Sequence, residues 1–361
     1  MPYMKKSGVA MKILKDFKKT AVHGVLNWLY NTKPLERHIG KEKVDLKAEP
    51  IKPYKIKVAA VQVQIKLHKT TITYYDHMKR LVEESVKKGA QLIAFPENIN
   101  LPLIGVIPMA EKLLTGHDSP RKPGSNSQTR ENFFLLGPYT EKIYKLTFSN
   151  LAKKYQVYIM AGSITTPFQN KLYNTAYFFG PKGECLGTQR KLHLTTTEEA
   201  FGLVVGDELN VITLPFGKVS FPICMDATYF ETFHLARQKD ADIVIIPIAN
   251  NEEYDFYKAF RGTWHRVQEA RVFAIKSALV GNLGDLVFTG RSAIFAPLDL
   301  TPRRDGVIQE AKTYNKEEVV VGEVDLNALR RFRERDPLLS DFNQEIYDKY
   351  LSLVKMYCWK R

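Results

Sequence analysis

Hydrophobic positions along the chain follow two different periods, and the change comes at residue 55. Between Leu14 and Leu29, apolar residues recur at three- and four-residue spacing, which predicts an amphipathic helix over residues 11–30. Residues 31–54 are polar, charged and interrupted by proline, so we expect Pro34 to end the helix and a linker to follow. The run KIKVAAVQVQI from residue 55 instead has the partial alternation of a β-strand.

The pattern after residue 55 alternates between strands and helices, which predicts an α/β fold. A helix closed by Gly89 and a short buried strand that stops at Pro96 complete a first β-α-β unit. Residues 98–138 are irregular and rich in proline and glycine, and a connection of that length often lines a binding site. The further predicted helices are 139–154, 229–240 and 263–276, and the further strands are 157–165, 174–192 and 209–224 (the last two as hairpins), 241–250, 277–283, 291–297 and 318–326.

The net charge of +14 is concentrated near the N-terminus, since 14 of the 53 basic residues but only 5 of the 39 acidic residues lie in residues 1–57. We therefore divide the chain into a basic extension and linker (1–54), a main domain (55–330) and a tail (331–361) that packs on the domain or on a second subunit. The helix over 11–30 could dock on its own domain or on a partner subunit. It could also lie on an anionic membrane surface, with Trp28 and Tyr30 as interfacial anchors. Nucleic acid is not expected, because no binding motif accompanies the charge.

The three cysteines, Cys185, Cys224 and Cys358, are odd in number and widely spaced, so neither a disulfide framework nor a zinc site is indicated. The sequence has no run of about 18 apolar residues and no secretory signal pattern. These features predict a cytoplasmic protein, with peripheral membrane contact as an alternative.

Three predicted strands end in side chains that could do chemistry. Glu97 follows LIAFP, Lys191 lies in QRKLH, and Cys224 follows VSFPI. Taken singly, each has a structural explanation: a carboxylate meeting solvent, a solvated lysine, or a buried and inert thiol.

Taken together, these motifs resemble the nitrilase, or carbon–nitrogen hydrolase, superfamily over roughly residues 55–330. The resemblance depends on VAAVQ, GAQLIAFPE, RKLHL, ICMD, ADIVIIP, HRVQEARVFA and GRSAIFAP, which occur in the family's order and rough spacing. The combination is similar to a poorly characterised branch, some of whose members have an extra N-terminal domain. The implied fold is an α-β-β-α sandwich, in which two sheets lie face to face with helices outside.

The resemblance implies a triad in which Cys224 is the nucleophile, Glu97 the general base and Lys191 a stabiliser of the oxyanion. A thiolate is the reactive form of cysteine, so a base and a nearby positive charge suit this chemistry. The backbone N–H of Met225 would join Lys191 in the oxyanion site. The family also places a second glutamate soon after the lysine, and we favour Glu199 over Glu198. Asn250 and Asn282 could line the pocket or simply end strands.

The implied reaction is hydrolysis of a non-peptide carbon–nitrogen bond, and we expect an amidase acting on linear amides through a thioester. The alternatives are an N-acyltransferase or nitrilase with the same triad, or a catalytically silent membrane-associated scaffold. We expect a homodimer or larger homo-oligomer and neither a cofactor nor a metal. The chain departs from many relatives after the nucleophile, where Thr228 stands in place of an arginine, although Glu231 is retained. This departure weakens any transfer of substrate preference.

Overall fold

The computed structural model describes residues 20–43, 45–52, 54–110, 125–260 and 262–335, together with six positions between 343 and 350. The strands are β1 (Lys55–Gln64), β2 (Leu92–Ala94), β3 (Tyr158–Phe168), β4 (Lys171–Phe179), β5 (Cys185–Arg190), β6 (Val211–Leu214), β7 (Gly217–Ser220), β8 (Ile243–Ile248), β9 (Phe273–Leu283), β10 (Leu286–Phe288), β11 (Ala293–Phe295), β12 (Val307–Glu310) and β13 (Glu318–Asp325). The helices are α1 (20–29), α2 (Thr32–Lys41), α3 (Thr71–Lys87), α4 (Ser125–Tyr155), α5 (Thr196–Ala200), α6 (Phe230–Gln238), α7 (Phe256–Phe260), α8 (Thr263–Ala270) and α9 (Leu326–Arg335).

The strands form two sheets. The first has the order β5-β4-β3-β2-β1-β13, and its centre, β3-β2-β1, is parallel. The second has the order β6-β7-β8-β9-β11-β12, and its centre, β7-β8-β9, is parallel. The end of β1 also pairs with β9, through Val63 and Leu279, so the two sheets are joined at one corner.

Alternation along β1 shows how the layers form. Val58 and Ala60 point into an apolar layer shared with Val219 and Ile245 of the second sheet. Ala59 and Val61 point the other way, into a core formed with α3 and α4. The outer face of the second sheet packs on α6 and α8 in a third core. The predicted α-β-β-α sandwich is therefore confirmed.

The predicted linker is wrong over residues 32–41, which form α2. The Asn31 side chain accepts a hydrogen bond from the Lys33 N–H and caps this helix. Pro34 lies in the first turn, where its missing N–H costs nothing, so it does not end a helix here. Leu35 and Ile39 of α2 are buried.

The extension packs on its own domain over the part that the structure describes. Leu26 and Tyr30 are buried, and the Tyr30 hydroxyl donates to the Leu103 carbonyl at 2.8 Å. The opposite face of α1 leaves Val25 and Trp28 exposed. Residues 11–19 of the predicted helix lie outside the described residues. Among the described helices, none has the length and apolar composition needed to cross a bilayer.

Two other predicted boundaries are corrected. Helix α4 begins at Ser125 rather than at residue 139, with Pro138 inside it. The helix predicted over 263–276 ends at Ala270, because Arg271 adopts a left-handed conformation with φ of 53°. The following VFAIK segment therefore belongs to strand β9, and Lys276 is a strand residue.

Candidate active site

The structure brings Glu97, Lys191 and Cys224 to one site, each from a position after a strand. Glu97 follows β2, Lys191 follows β5, and Cys224 follows β7. Lys191 Nζ lies 2.8 Å from Glu97 Oε1, and both side chains are only 2% exposed. The Cys224 thiol interacts with both of these groups and is partly exposed.

Glu97 is held as a carboxylate by three N–H donors. Its Oε1 accepts from Lys191 Nζ and from Asn174 Nδ2, each at 2.8 Å. Its Oε2 accepts from the Ala249 backbone N–H at 3.0 Å. Because β2 and β8, the strands before Glu97 and Ala249, belong to different sheets, the carboxylate joins the two sheets across the site.

A glycine allows the turn before Glu97. Gly162 has φ of +74°, and a Cβ at this position would lie 1.9 Å from the Pro96 carbonyl oxygen. Any side chain here would push the Pro96–Glu97 turn away from β3.

The second glutamate of the site is Glu198, and the choice of Glu199 is corrected. Both carboxylate oxygens of Glu198 lie 2.8 Å from Lys191 Nζ, and Asn174 Nδ2 donates to Oε1 at 3.1 Å. The physical reason is helix capping: Glu198 Oε2 accepts from the Thr195 N–H at the start of α5, which turns this side chain inward. Glu199, one residue later, is exposed.

The nucleophile lies at a sharp turn. Cys224 has φ of +48°, an uncommon value for a residue other than glycine, and it begins a short 3₁₀ helix over Cys224–Thr228. Asp226, fully buried, accepts from the Ile223 N–H at 2.8 Å and from the His193 N–H at 2.7 Å. It also accepts from the Leu192 N–H. Asp226 therefore fixes the cysteine turn to the segment that contains Lys191.

Burial and charge shift the pKa values in the site. Burial is the largest influence on Glu97 and raises its pKa, although Lys191 opposes the shift. Burial likewise raises the pKa of the Cys224 thiol well above its ordinary value, and the Glu97 carboxylate adds to this. For Lys191, burial alone would lower the pKa, but Glu97, Cys224 and Glu198 raise it. Lys191 is therefore an ammonium group and Cys224 a neutral thiol in the resting site.

A cavity of about 100 Å³ opens beside the thiol. Met225 and Asn250 line it, together with residues from the ends of β8 and β9 and from α7. Asn250 Oδ1 lies 3.7 Å from Cys224 Sγ, which places this side chain at the nucleophile. Asn282 does not line this cavity and instead pairs with Val287 in the β9-β10 hairpin.

Comparison with known proteins agrees with this geometry. The family model for carbon-nitrogen hydrolase matches residues 57–334, most of the chain. The chain belongs to the carbon–nitrogen hydrolase family. It is 34% identical over 216 residues to the probable hydrolase YhcX of Bacillus subtilis, covering 58% of this chain and 42% of that protein. It is 28% identical over 282 residues to omega-amidase NIT2 of Xenopus tropicalis, covering 74% of this chain and 88% of the relative.

A crystal structure of a carbon–nitrogen hydrolase from Helicobacter pylori has the same fold. The TM-score is 0.65 at 23% identity, and the match covers 82% of this chain and 98% of that structure. This carbon–nitrogen hydrolase is therefore a member of the nitrilase superfamily in both sequence and fold.

The departure noted after the nucleophile has a local replacement in this family member. Where many relatives have arginine, Thr228 offers its carbonyl, which accepts from Arg266 Nη2 of α8 at 2.7 Å. Glu231 lies 3.4 Å from His193 Nε2, and the His193 ring stacks on Tyr229 at 4.2 Å. An arginine supplied from another helix thus contacts the same turn.

Sequence reasoning missed Asn174, Asp226 and Lys276. Asn174 and Asp226 act through hydrogen bonds to backbone and carboxylate groups far away in the chain, and no local pattern signals this. Among the described residues, the side chains close enough to share a metal ion are His38, Glu42 and Asp76, on the outer layer. Glu42 is already paired with Lys79 and Lys154, so this group gives no support for a metal site.

Proposed function

We propose that this carbon–nitrogen hydrolase is an amidase that cleaves linear amides through a thioester on Cys224. The observation that supports this is the contact of one buried lysine with two carboxylates beside a thiol. The omega-amidase name of the Xenopus relative supports an amide over a nitrile as substrate.

In the proposed reaction, Sγ of Cys224 attacks the amide carbonyl carbon while its proton passes to Glu97. The raised pKa of Glu97 suits this step, because a base works best when its pKa lies near the operating pH. Lys191 and the Met225 N–H stabilise the oxyanion. The protonated Glu97 then gives its proton to the leaving amine, and water resolves the thioester.

Glu198 has a distinct part in this scheme. When Glu97 takes the thiol proton, Lys191 loses one of its two negative partners. Glu198, whose pKa the ammonium group of Lys191 lowers despite burial, stays ionised and keeps the lysine charged. Asn250, at 3.7 Å from the sulfur, is placed to position the substrate.

The test is to trap the acyl-enzyme. Incubation with a panel of amides and activated esters, followed by intact-protein and peptide mass spectrometry, should show added mass on Cys224. Cys224→Ala should lose both the adduct and turnover, whereas Cys185→Ala, which removes an exposed thiol on β5, should retain both. Normal turnover in Cys224→Ala would refute the proposal, and absence of both adduct and turnover would favour the scaffold alternative.

Acyl transfer and nitrile hydrolysis are read out by the same assay. Free acid as the main product in the presence of a millimolar alkylamine supports the amidase. An N-alkyl amide as the main product would make the site an N-acyltransferase, and faster turnover of nitriles than of the matched amides would make it a nitrilase.

We also propose that the protein forms a homodimer through α6 and α7. Tyr229, Phe230, Leu235, Phe256 and Tyr257 expose between 40% and 82% of their surface on this side of the molecule. An apolar group of this kind marks an interaction surface. Light scattering of Leu235→Lys should show a monomer if this face pairs, and an unchanged mass would exclude it.

Peripheral membrane contact in a cytoplasmic protein is a further proposal, supported by the exposed Val22, Val25 and Trp28 of α1 and by the basic residues around them. Sedimentation with anionic and with neutral vesicles tests it. Trp28→Ser should weaken binding to anionic vesicles, and equal recovery of wild type with both vesicle types would exclude it.

A further inference from the structure

A second buried lysine faces the same cavity as the nucleophile. Lys276 of β9 is 8% exposed and lines the cavity together with Cys224 and Asn250. It shares its side of the second sheet with Ala274 and Ala278, whose side chains pack in the third core. The chemistry described above assigns this lysine no part.

Lys276 has no ionic partner among the residues that the structure describes. No carboxylate of the described ranges lies within ion-pair distance of its Nζ, and its nearest charge-stabilising contact is the Phe295 ring at 5.3 Å. The neighbouring cation, Arg291, is paired with Glu310 at 3.0 Å. Glu310 attracts Lys276 from farther away without forming an ion pair. A buried ammonium group without a partner is costly, so such groups usually meet a ligand or lose their proton.

The charges around the cavity are graded from its buried end to its mouth. Lys276 lies at the buried end, whereas Glu253 and Asp255 are exposed at the mouth. Glu252, also at the mouth, lies 3.8 Å from Lys258. The uncompensated charge facing the cavity is therefore a single cation beyond the thiol. The acidic mouth disfavours a large or multiply charged anion.

We propose that Lys276 binds a carboxylate in the acyl part of the amide that Cys224 attacks, so that the enzyme selects amides with a terminal carboxylate. This inference rests on the proposed amidase function. It makes Lys276 a specificity residue: the carboxylate pairs with Lys276 at one end of the cavity, and the amide lies at the sulfur at the other. A carboxylate suits a cavity of about 100 Å³ and a single unpaired cation better than a phosphate does.

The experiment compares two substrates of almost the same size and shape, succinamate and succinamide, which differ in one terminal charge. Wild type should prefer succinamate in kcat/KM by roughly 10-fold to 100-fold, the range expected for a charged hydrogen bond. Lys276→Met should bring this ratio close to one, mainly through KM. Lys258→Met, which removes a cation from the mouth, should change the ratio by less than about twofold because exposed pairs contribute little.

Binding to the inactive Cys224→Ala protein separates the two proposals. Calorimetry with succinate should show binding to Cys224→Ala and at least 10-fold weaker binding to Cys224→Ala/Lys276→Met, the equivalent of one lost charged contact. Succinate binding without turnover of either amide would sustain the lysine site and sink the amidase. Turnover of both amides with equal kcat/KM in wild type would overturn the carboxylate site alone. So would loss of both activities by the same factor in Lys276→Met.

Discussion

Two lysines are buried in this molecule beside the same thiol, and they are electrostatic opposites. Lys191, at the end of β5, contacts Glu97 and Glu198 at 2.8 Å. Lys276, in the middle of β9, has an aromatic ring and no carboxylate within ion-pair distance among the described residues. Burial acts on both in the same direction, yet the pKa of Lys191 is raised and that of Lys276 is lowered to about 8.

The difference shows that partners, rather than depth, decide what a buried lysine can do. The carboxylates around Lys191 fix its charge and its position, which suits a group that must meet an oxyanion without rearranging. Lys276 has no fixed counter-ion, so a ligand can supply one. The same residue type thus serves as permanent machinery in one place and as a free valence in the other.

Removing the paired lysine should have the largest effect. Lys191→Met leaves two buried carboxylates facing each other, so the free energy of unfolding should fall by about 3–5 kcal/mol. Loss of an oxyanion donor should also lower kcat by at least ~100-fold. Urea unfolding and steady-state kinetics measure these two effects. Unchanged stability in Lys191→Met would mean that the carboxylates do not depend on the lysine.

The neighbouring glutamates offer a matched pair for the next effect. Glu198→Gln removes the negative charge that keeps Lys191 paired, and kcat/KM should fall by about 10- to 100-fold, as for partners that orient an active group. Glu199→Gln, one residue away and exposed, should stay within about twofold of wild type because isolated surface charges contribute little. The reverse order in kinetics would restore the assignment that sequence alone favoured.

The unpaired lysine should affect stability with the opposite sign. The folded-state pKa of Lys276 is about 8, below the 10.5 of the unfolded chain, so folding expels its proton between these values. Its cost is full below pH 8 and disappears as pH rises to 10.5, and each pKa unit corresponds to about 1.4 kcal/mol. Lys276→Met should therefore be more stable than wild type at pH 7, by about 3 kcal/mol at most.

The measurement for Lys276 is a difference, which removes the titration of other groups. Urea unfolding of wild type and Lys276→Met at intervals from pH 7 to 10 should show the gap closing as pH rises. Glu310 and Arg291 act on Lys276 in both directions and are kept in both proteins. A gap that is constant with pH would show that Lys276 does not titrate in this range.

Much of the fold and the centre of the site could be predicted from sequence, because both depend on local patterns. Alternation and helical period located most strands and helices, and Glu97, Lys191 and Cys224 each follow an apolar strand. Glu198 could not be separated from Glu199, since only the cap at Thr195 decides which of the two turns inward. Lys276 was assigned to a helix, because the VFAIK segment has no polar alternation and the left-handed Arg271 is not visible in the sequence.

The N-terminal extension has a consequence for how the protein should be produced. The Tyr30 hydroxyl holds the carbonyl of Leu103, in the 3₁₀ turn that follows Glu97 in the chain. A shortened form that starts at residue 55 would uncover the apolar seat of Leu26, Leu35 and Ile39 and release this turn. Trimming to the family boundary would thus yield an aggregation-prone enzyme with a loosened general base, even though every catalytic side chain would still be present.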